Sequence, residues 1–242
     1  MLRPIRLAAP VTRMTRPSNE DMLSLCGAKL RDVRIAICCL SLTLVLSGQR
    51  PIQKAELVQA AEAGDLVQAR RLLAAGANPN LPKSFSALQA ASAAAFPEIV
   101  REMLKYRADV HQRDSAGRTA LNVIAQSAIG NGKEDPAEVV RLLIGAGIDV
   151  NAQDNIYGNT ALHEAPSAET AKVLIAAGAK INLQNQDGQT ALMLTLDQEV
   201  ASVLVTAGAD LALRDHRGKT AVELARELAL TEKIGILEGT RK

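Results

Sequence analysis

Few side chains in this 242-residue chain could catalyse a reaction or hold a metal, and they are scattered. There are three histidines, His111, His163 and His216, and the three cysteines all lie in the first fifty residues. His111 and His216 fall at the edges of polar turns far apart in the chain. A zinc site needs three or four ligands at one point, so the sequence predicts no metal, no cofactor and no catalytic group.

A glycine-rich segment is the nearest approach to a nucleotide-binding motif. Gly130-Asn131-Gly132-Lys133 is similar to the end of a phosphate-binding loop, G-x-x-x-x-G-K-S/T. However, Ser127 stands where the first glycine is required, and Glu134 stands where the hydroxyl residue belongs. Residues 126–136 are therefore predicted to form a projecting loop. A small enzyme that uses this loop is the alternative from a different class of protein.

The charge is unevenly distributed between the N-terminal segment and the rest of the chain. Residues 1–49 contain seven basic and three acidic residues, which leaves 21 basic and 23 acidic residues in 50–242. This nearly neutral body has no basic footprint for nucleic acid. With two Phe, two Tyr and no Trp in the whole chain, it also lacks a base-stacking surface. Nucleic acid is not a predicted partner.

The first 49 residues are typical of a targeting segment. The apolar run 35–46 follows Lys29, Arg31 and Arg34 and precedes the small residues Ser47 and Gly48. This order matches a secretory signal peptide, and the run is shorter than the roughly 18 residues of a membrane-spanning helix. We expect cleavage near 47–49 and a periplasmic or secreted protein. A body without cysteine is compatible with an oxidising compartment.

Other interpretations of this segment remain open. Met22 would give a signal peptide of ordinary length, so either Met1 or Met22 is the true start. The run could stay uncleaved as a membrane anchor, or Met1–Pro17, with four Arg and no acid, could target an organelle. The protein would then be membrane-anchored, organellar or cytoplasmic.

Two short signatures recur along residues 52–242. The first, Thr or Ser followed by Ala and Leu or Val, suits a helix whose N-terminus the hydroxyl caps. It occurs at 86–88, 119–121, 160–162, 190–192 and 220–222. The second is an apolar pair followed by a glycine that can end a helix in the left-handed conformation. Its glycines are Gly76, Gly147, Gly178 and Gly208. The two signatures predict repeated helix–turn–helix units.

With polar turns that contain Gly117, Gly158, Gly188 and Gly218, the repeat resembles the ankyrin repeat, D-x-x-G-x-T-P-L-H-x-A…L-L-x-x-G-A-D-x-N. The resemblance divides the body, 50–242, into six units: 52–82, 83–114, 115–154, 155–184, 185–214 and 215–242. It implies an all-α solenoid of stacked units with turn fingers. It also implies that His163, at the Thr-x-x-His position, ties adjacent turns by hydrogen bonds.

Departures from the family pattern carry their own predictions. Ala replaces the family's Pro after every Thr or Ser. The units that begin at 155 and 185 are three residues short between the helices, so we expect a clipped first helix or inter-helix turn in each. Arg107 occupies the position of the helix-ending glycine. If its backbone is left-handed, we expect replacement by glycine to stabilise the chain.

The resemblance assigns partner contact to the residues that flank the turn glycines. Apart from Ser115 and Ala116, these are Arg118, Ile156, Tyr157, Asn159, Gln186, Asp187, Gln189, His216, Arg217 and Lys219. Tyr157 beside Ile156 is the best anchor candidate. Charges of both signs occur, so no charge class of partner is predicted. The sequence thus predicts an exported, monomeric, non-catalytic scaffold for a protein partner. The alternative within binding is an anchored, organellar or cytosolic adaptor.

Overall fold

Short helices account for the regular structure of the chain. The computed structural model describes residues 51–81, 84–127 and 136–239. These ranges contain α1 (Pro51–Ala63), α2 (Leu66–Ala74), α3 (Ala87–Ala93), α4 (Pro97–Lys105), α5 (Ala120–Ser127), α6 (Pro136–Gly145), α7 (Ala168–Ala176), α8 (Ala191–Leu194), α9 (Gln198–Thr206), α10 (Ala221–Glu227) and α11 (Thr231–Gly239). No strand is assigned within them.

The helices stack in two rows. The first row contains α1, α3, α5, α8 and α10, and the second contains α2, α4, α6, α7, α9 and α11. Helices of one unit contact each other, and each second-row helix contacts the next along the row. The expected all-α solenoid of helix–turn–helix units is confirmed.

Small and branched aliphatic side chains build the core between the rows. The alanines that replace the family's proline are all buried: Ala87, Ala120, Ala161, Ala191 and Ala221. In the second row, one apolar side chain per unit forms a buried column: Leu72, Met103, Leu143, Leu174 and Leu204. Each such side chain contributes about 1.5–3 kcal/mol by leaving water. Alanine in the first row lets the helices approach closely.

Two units have the shortened first helix that their length predicts. In the unit 155–184, residues 161–164 form turns rather than a helix, and in the unit 185–214, α8 has four residues. The predicted loop 126–136 needs a correction. Residues 126 and 127 belong to the end of α5, and Pro136 is the first residue of α6, where proline is favoured. Residues 128–135 lie outside the described residues.

A lysine of α11 binds the carbonyl groups at the C-terminal end of the shortened α8. The ammonium of Lys233 donates to the carbonyl oxygens of Thr195 at 2.6 Å and Met193 at 3.5 Å. Lys233 is 2% exposed, and burial lowers its pKa to about 8. The charge lies at the C-terminal end of a helix, where the last carbonyls lack intrahelical donors.

Every second-row helix with this signature ends in the same backbone pattern. In α2, the amide of Gly76 bonds to the carbonyl of Leu73 and the amide of Ala77 to that of Leu72, both at 3.0 Å. Arg107 takes the glycine's place after α4, with a φ of 61°. Its amide bonds to Leu104 at 3.0 Å. The expected left-handed conformation of Arg107 is confirmed, and a Cβ there is disfavoured.

Side chains at the Thr-x-x-His position tie three of the units to the unit that follows. Gln89 Nε2 donates to the carbonyl of Arg118 at 2.8 Å, and Asn122 Nδ2 donates to that of Asn159 at 3.3 Å. His163 Nε2 meets the carbonyl of Gln189 at 3.2 Å. The three acceptors all follow a turn glycine, so this tie fixes the next turn relative to the unit before it.

His163 makes its tie as a neutral imidazole. A carbonyl oxygen can only accept, so Nε2 carries the proton. Nδ1 then accepts from the amide and hydroxyl of Thr160, at 3.2 and 2.8 Å. Burial lowers the pKa of His163, since a charged ring loses solvation there. The family's tie between adjacent turns is present in this unit.

We expect Arg107→Gly to raise the melting temperature. Glycine removes the Cβ penalty of roughly 1–2 kcal/mol, and part of this gain is offset by the greater freedom of the unfolded chain. Arg107→Ala is the matched control, because it removes the side chain and keeps the Cβ. Thermal unfolding of the three proteins decides the point, and a less stable glycine variant would contradict the assignment.

We expect the free energy of unfolding to fall as the pH drops below about 6.5. The unfolded histidine then takes up a proton that folded His163 does not, with a slope of up to about 1.4 kcal/mol per pH unit. His163→Gln introduces the side chain that Gln89 provides at the equivalent position of its own unit. In this variant the free energy of unfolding should depend less on pH. Denaturant unfolding of both proteins at pH 7.5 and 5.5 measures it, and equal losses in both proteins would refute the role of His163.

Candidate functional site

The turns between units are closed by a buried Asp or Asn. The Oδ1 atom of Asp114 accepts from the amides of Ala116 and Arg118, both at 2.9 Å. Asn185 binds the amides of Asp187 and Gln189 in the same way, at 2.9 Å. Asp154 and Asp215 occupy this position in the other turns, and all four side chains are buried. These groups hold the backbone, which makes each turn a rigid tip.

The tips are joined to one another by the main chain. The amide of Asn155 donates to the carbonyl of Ala116 at 2.9 Å, that of Gln186 to Tyr157 at 2.8 Å, and that of His216 to Asp187 at 2.9 Å. Three successive contacts of one kind therefore join four tips in a row. We call residues 113–118, 153–159, 184–189 and 214–219 the tip row.

Long polar side chains before each buried Asp or Asn reinforce the row. Gln153 Nε2 donates to the carbonyl of Gly158 in its own turn at 2.7 Å and to that of Gln184 in the next unit at 3.2 Å. The other members of this ladder also bind the carbonyl of their own turn glycine; they are Arg113, Gln184 and Arg214. The sequence motifs did not single out these residues, although a long side-chain donor before Asp or Asn in four units is a recognisable pattern.

The turn glycines are needed for close approach as well as for their positive φ. A Cβ on Gly188 would lie 2.7 Å from Cδ2 of His216 and 3.0 Å from its backbone nitrogen. Asn155 covers Gly117 in the same way, and Gln186 covers Gly158. The residue after each Asp or Asn thus packs its side chain over the preceding tip.

The structure brings all ten predicted contact residues into the tip row, but it exposes them to different degrees. Ile156 and Tyr157 are 47% and 55% exposed. Gln186, Asp187, His216 and Arg217 are also exposed, whereas Arg118, Gln189 and Lys219 are half-buried. Asn159 is 7% exposed. The tip row therefore presents one apolar pair amid polar side chains.

Asn159 differs from the rest because its amide acts between units. It donates to Glu164 Oε1 at 2.9 Å and accepts from Asn185 Nδ2 at 2.8 Å. In the preceding turn, Arg118 at the same position binds Asp114 Oδ2 at 2.7 Å. Asn159 makes no such contact, and Oδ2 of Asp154 is buried without a hydrogen-bond partner among the described residues. The side chain of Asn159 therefore holds the Tyr157 tip in position and does not project from the tip into solvent.

Charges at the C-terminal end of the tip row are largely neutralised. Lys219 forms an ion pair with Glu227, Arg214 with Glu223 at 3.3 Å, and Arg217 with buried Asp215 at 3.2 Å. Residues 153–159 and 184–189 contain two acids and no base, and one of those acids, Asp154, is buried. The centre of the row is therefore amide-rich and apolar rather than strongly charged.

Within the described residues, no three His, Cys, Asp or Glu side chains are grouped as a metal site would require. The same residues contain no helix that is long and apolar enough to cross a membrane. The segment 35–46 and most of the predicted loop 126–136 lie outside the described residues.

We expect Gly188→Ala to destabilise the protein more than Gly218→Ala. Both glycines have a φ near 75°, at 74° and 76°, so the left-handed penalty of roughly 1–2 kcal/mol is common to them. Only Gly188 has a neighbouring tip against it, since nothing lies within 4 Å of a Cβ on Gly218. The steric conflict should add roughly 1–3 kcal/mol. Denaturant unfolding measures both variants, and equal losses would argue against close tip stacking.

A solved structure has a similar fold. It is a chain in the complex of the predatory endopeptidase Bd0816 from Bdellovibrio bacteriovorus with the immunity protein Bd3460. The superposition gives a TM-score of 0.67 with 26% sequence identity, over 76% of this chain and 97% of the other.

Two curated proteins are similar in sequence. The nuclear factor NF-kappa-B p105 subunit of Gallus gallus is 32% identical over 150 residues, which are 60% of this chain and 14% of that protein. The ZDHHC13 protein of Danio rerio is 30% identical over 136 residues, which are 54% of this chain and 20% of that protein. The chain thus spans no more than a fifth of the length of either relative.

A family profile described as ankyrin repeats matches residues 57–154 and 128–215. The matched stretch covers well over half of the chain and includes three of the four tips. With the two rows of short helices and the joined turns, it identifies the chain as a member of the ankyrin-repeat family.

Proposed function

We propose that this chain is an exported, non-catalytic scaffold that holds a protein partner against the tip row. Ankyrin repeats are modules of protein–protein interaction. The observation that carries the proposal is the pair Ile156 and Tyr157, which stay about half exposed on a tip that is tied on both sides. Apolar side chains held on a rigid support are typical of binding sites.

Rigidity gives this surface its value for binding. Association loses affinity when loops and side chains must first be ordered. Here the backbone of the Tyr157 tip is already fixed by Asp154 and by bonds to both neighbouring tips. Tyrosine itself has two side-chain torsions and a large contact area. A partner therefore meets a surface that needs little ordering.

The similar solved structure supports a protein partner of a particular class. It comes from a complex between an endopeptidase and an immunity protein. A peptidase of the cell envelope is accordingly the first partner class to test for this chain. In that case the chain would act by occupying or covering the peptidase, without chemistry of its own.

Export rests on the predicted leader in residues 1–49 and on the absence of cysteine from 50–242. N-terminal sequencing of the chain recovered from each cell fraction tests it. A start near 48–51 in the periplasmic or secreted fraction supports export. An intact N-terminus in membranes supports the anchored alternative, and one in the cytosol removes the export proposal.

We expect Tyr157→Ala to weaken partner capture at least tenfold. Truncating a central aromatic anchor removes about 2 kcal/mol or more of binding free energy. Tyr106→Ala is the matched control, because Tyr106 is 38% exposed and follows α4, outside the tip row. Tagged wild type and both variants would be used to capture proteins from an envelope extract, with quantitative mass spectrometry.

Proteins lost with Tyr157→Ala and retained with Tyr106→Ala would identify the partner. Equal capture by all three would contradict the tip row as the binding site. Circular dichroism and thermal unfolding confirm that the variants are folded before the comparison is made.

A further inference from the structure

A row of ion pairs runs along the exposed face of the second-row helices. Arg101 of α4 bonds to Glu138 of α6 at 2.5 Å, and Arg141 of α6 bonds to Glu169 of α7 at 2.6 Å. The four side chains are between 38% and 49% exposed, so each pair adds at most about 1 kcal/mol. The aliphatic stems of the arginines also cover apolar surface between adjacent helices.

The row stops between α7 and α9. Lys172 stands at the repeat position of Arg101 and Arg141, but its ammonium lies 4.0 Å from Glu169 on its own helix. Glu199, at the repeat position of Glu169, would be the matching acceptor on α9. Across the described residues, no ion pair bridges these two helices. The next residue at the arginine position is Ser202, whose side chain is too short to cover anything.

An open groove lies where the row stops. It has a volume of about 410 Å³ between α7 and α9. Ile175 and Ala176 line it on one side and Val203 and Ala207 on the other, with Lys172 and Ser202 also in the lining. Ile175 and Val203 are half-buried, so their apolar surface stays partly in water. Between α4 and α6 and between α6 and α7, long charged side chains bridge the helices.

We propose that this groove docks an amphipathic helix of a partner protein, with aliphatic side chains on one face and acidic residues along one flank. Two adjacent helices with an apolar floor accept a third helix through side chains at i, i+3, i+4 and i+7. Lys172 has only a distant carboxylate, and that carboxylate already binds Arg141. A partner carboxylate beside the groove therefore complements the lysine.

This surface is distinct from the tip row and its use does not depend on the proposed function. The groove is formed by second-row helices, whereas the tip row is formed by the turns between units. Tyr157→Ala therefore leaves it intact.

The test uses the whole chain and two designed peptides. One is an N-acetylated, C-amidated amphipathic peptide of about 18 residues, with Leu on one face, Glu along one flank and Ala elsewhere. The other has Lys in place of every Glu. Fluorescence anisotropy of labelled peptides at low salt measures binding. We expect the acidic peptide to bind at least tenfold more tightly than the basic one.

Two variants locate the binding. Val203→Glu puts a carboxylate on the groove floor, and α4 already carries Glu102 at that repeat position, so the fold tolerates it. We expect it to weaken binding of the acidic peptide at least tenfold. Lys172→Glu should weaken binding of the acidic peptide and strengthen binding of the basic one. Tyr157→Ala should change the binding of neither peptide.

Equal binding of the two peptides would overturn the proposal, as would tight binding of the acidic peptide by Val203→Glu. Binding abolished by Tyr157→Ala would place the peptide on the tip row and overturn it as well. Failure of the groove leaves the tip-row proposal unaffected, because that proposal is tested by separate capture experiments.

Discussion

Each unit of this solenoid is completed by polar groups of its neighbour. A pair of short helices cannot bury enough apolar surface to be stable alone, so the contact between units is the constraint on which the rest depends. In this chain the contact is polar as well as apolar. Gln89, Asn122 and His163 reach forward to a backbone carbonyl of the next turn. The tips of successive turns are also joined to one another by backbone hydrogen bonds.

This dependence explains how departures from the family pattern are tolerated. The unit 155–184 has no first helix, but His163 still caps Thr160 and still reaches Gln189. The hydrogen bond to the next turn is retained because it requires only one residue at the correct position, whereas the helix itself can be shortened. Arg107 is tolerated for a related reason. Its strained backbone is set by the same two hydrogen bonds, from its own amide and from that of the next residue, that occur at the glycine in other units, and Asn80 of the preceding unit donates to its carbonyl.

Most of the fold could be predicted from sequence because the signal is local and repeated. The shortened helices were predicted from two short spacings, Thr160 to Gly178 and Thr190 to Gly208.

Features that depend on distant parts of the chain could not be predicted from these local patterns. Ala95 and Ala229 adopt positive φ where the first unit has Gly64, and alanine gives no hint of it. The groove at Lys172 arises from an ion pair that does not form, which only the relative position of two helices reveals. At the tip row, six of the ten predicted contact residues are exposed, and nothing in the sequence indicates that Asn159 is buried.

The contact of Lys233 with the end of α8 has a consequence for how the array opens. In a solenoid whose units interact only through apolar faces, the last unit frays first and the one before it stays closed. Here the final helix supplies a hydrogen-bond donor to the unit 185–214, so its departure leaves carbonyl groups of that unit unpaired. The units 185–214 and 215–242 should therefore open as one cooperative block. The boundary between exchange-labile and exchange-protected backbone would then fall before residue 185 rather than before residue 215.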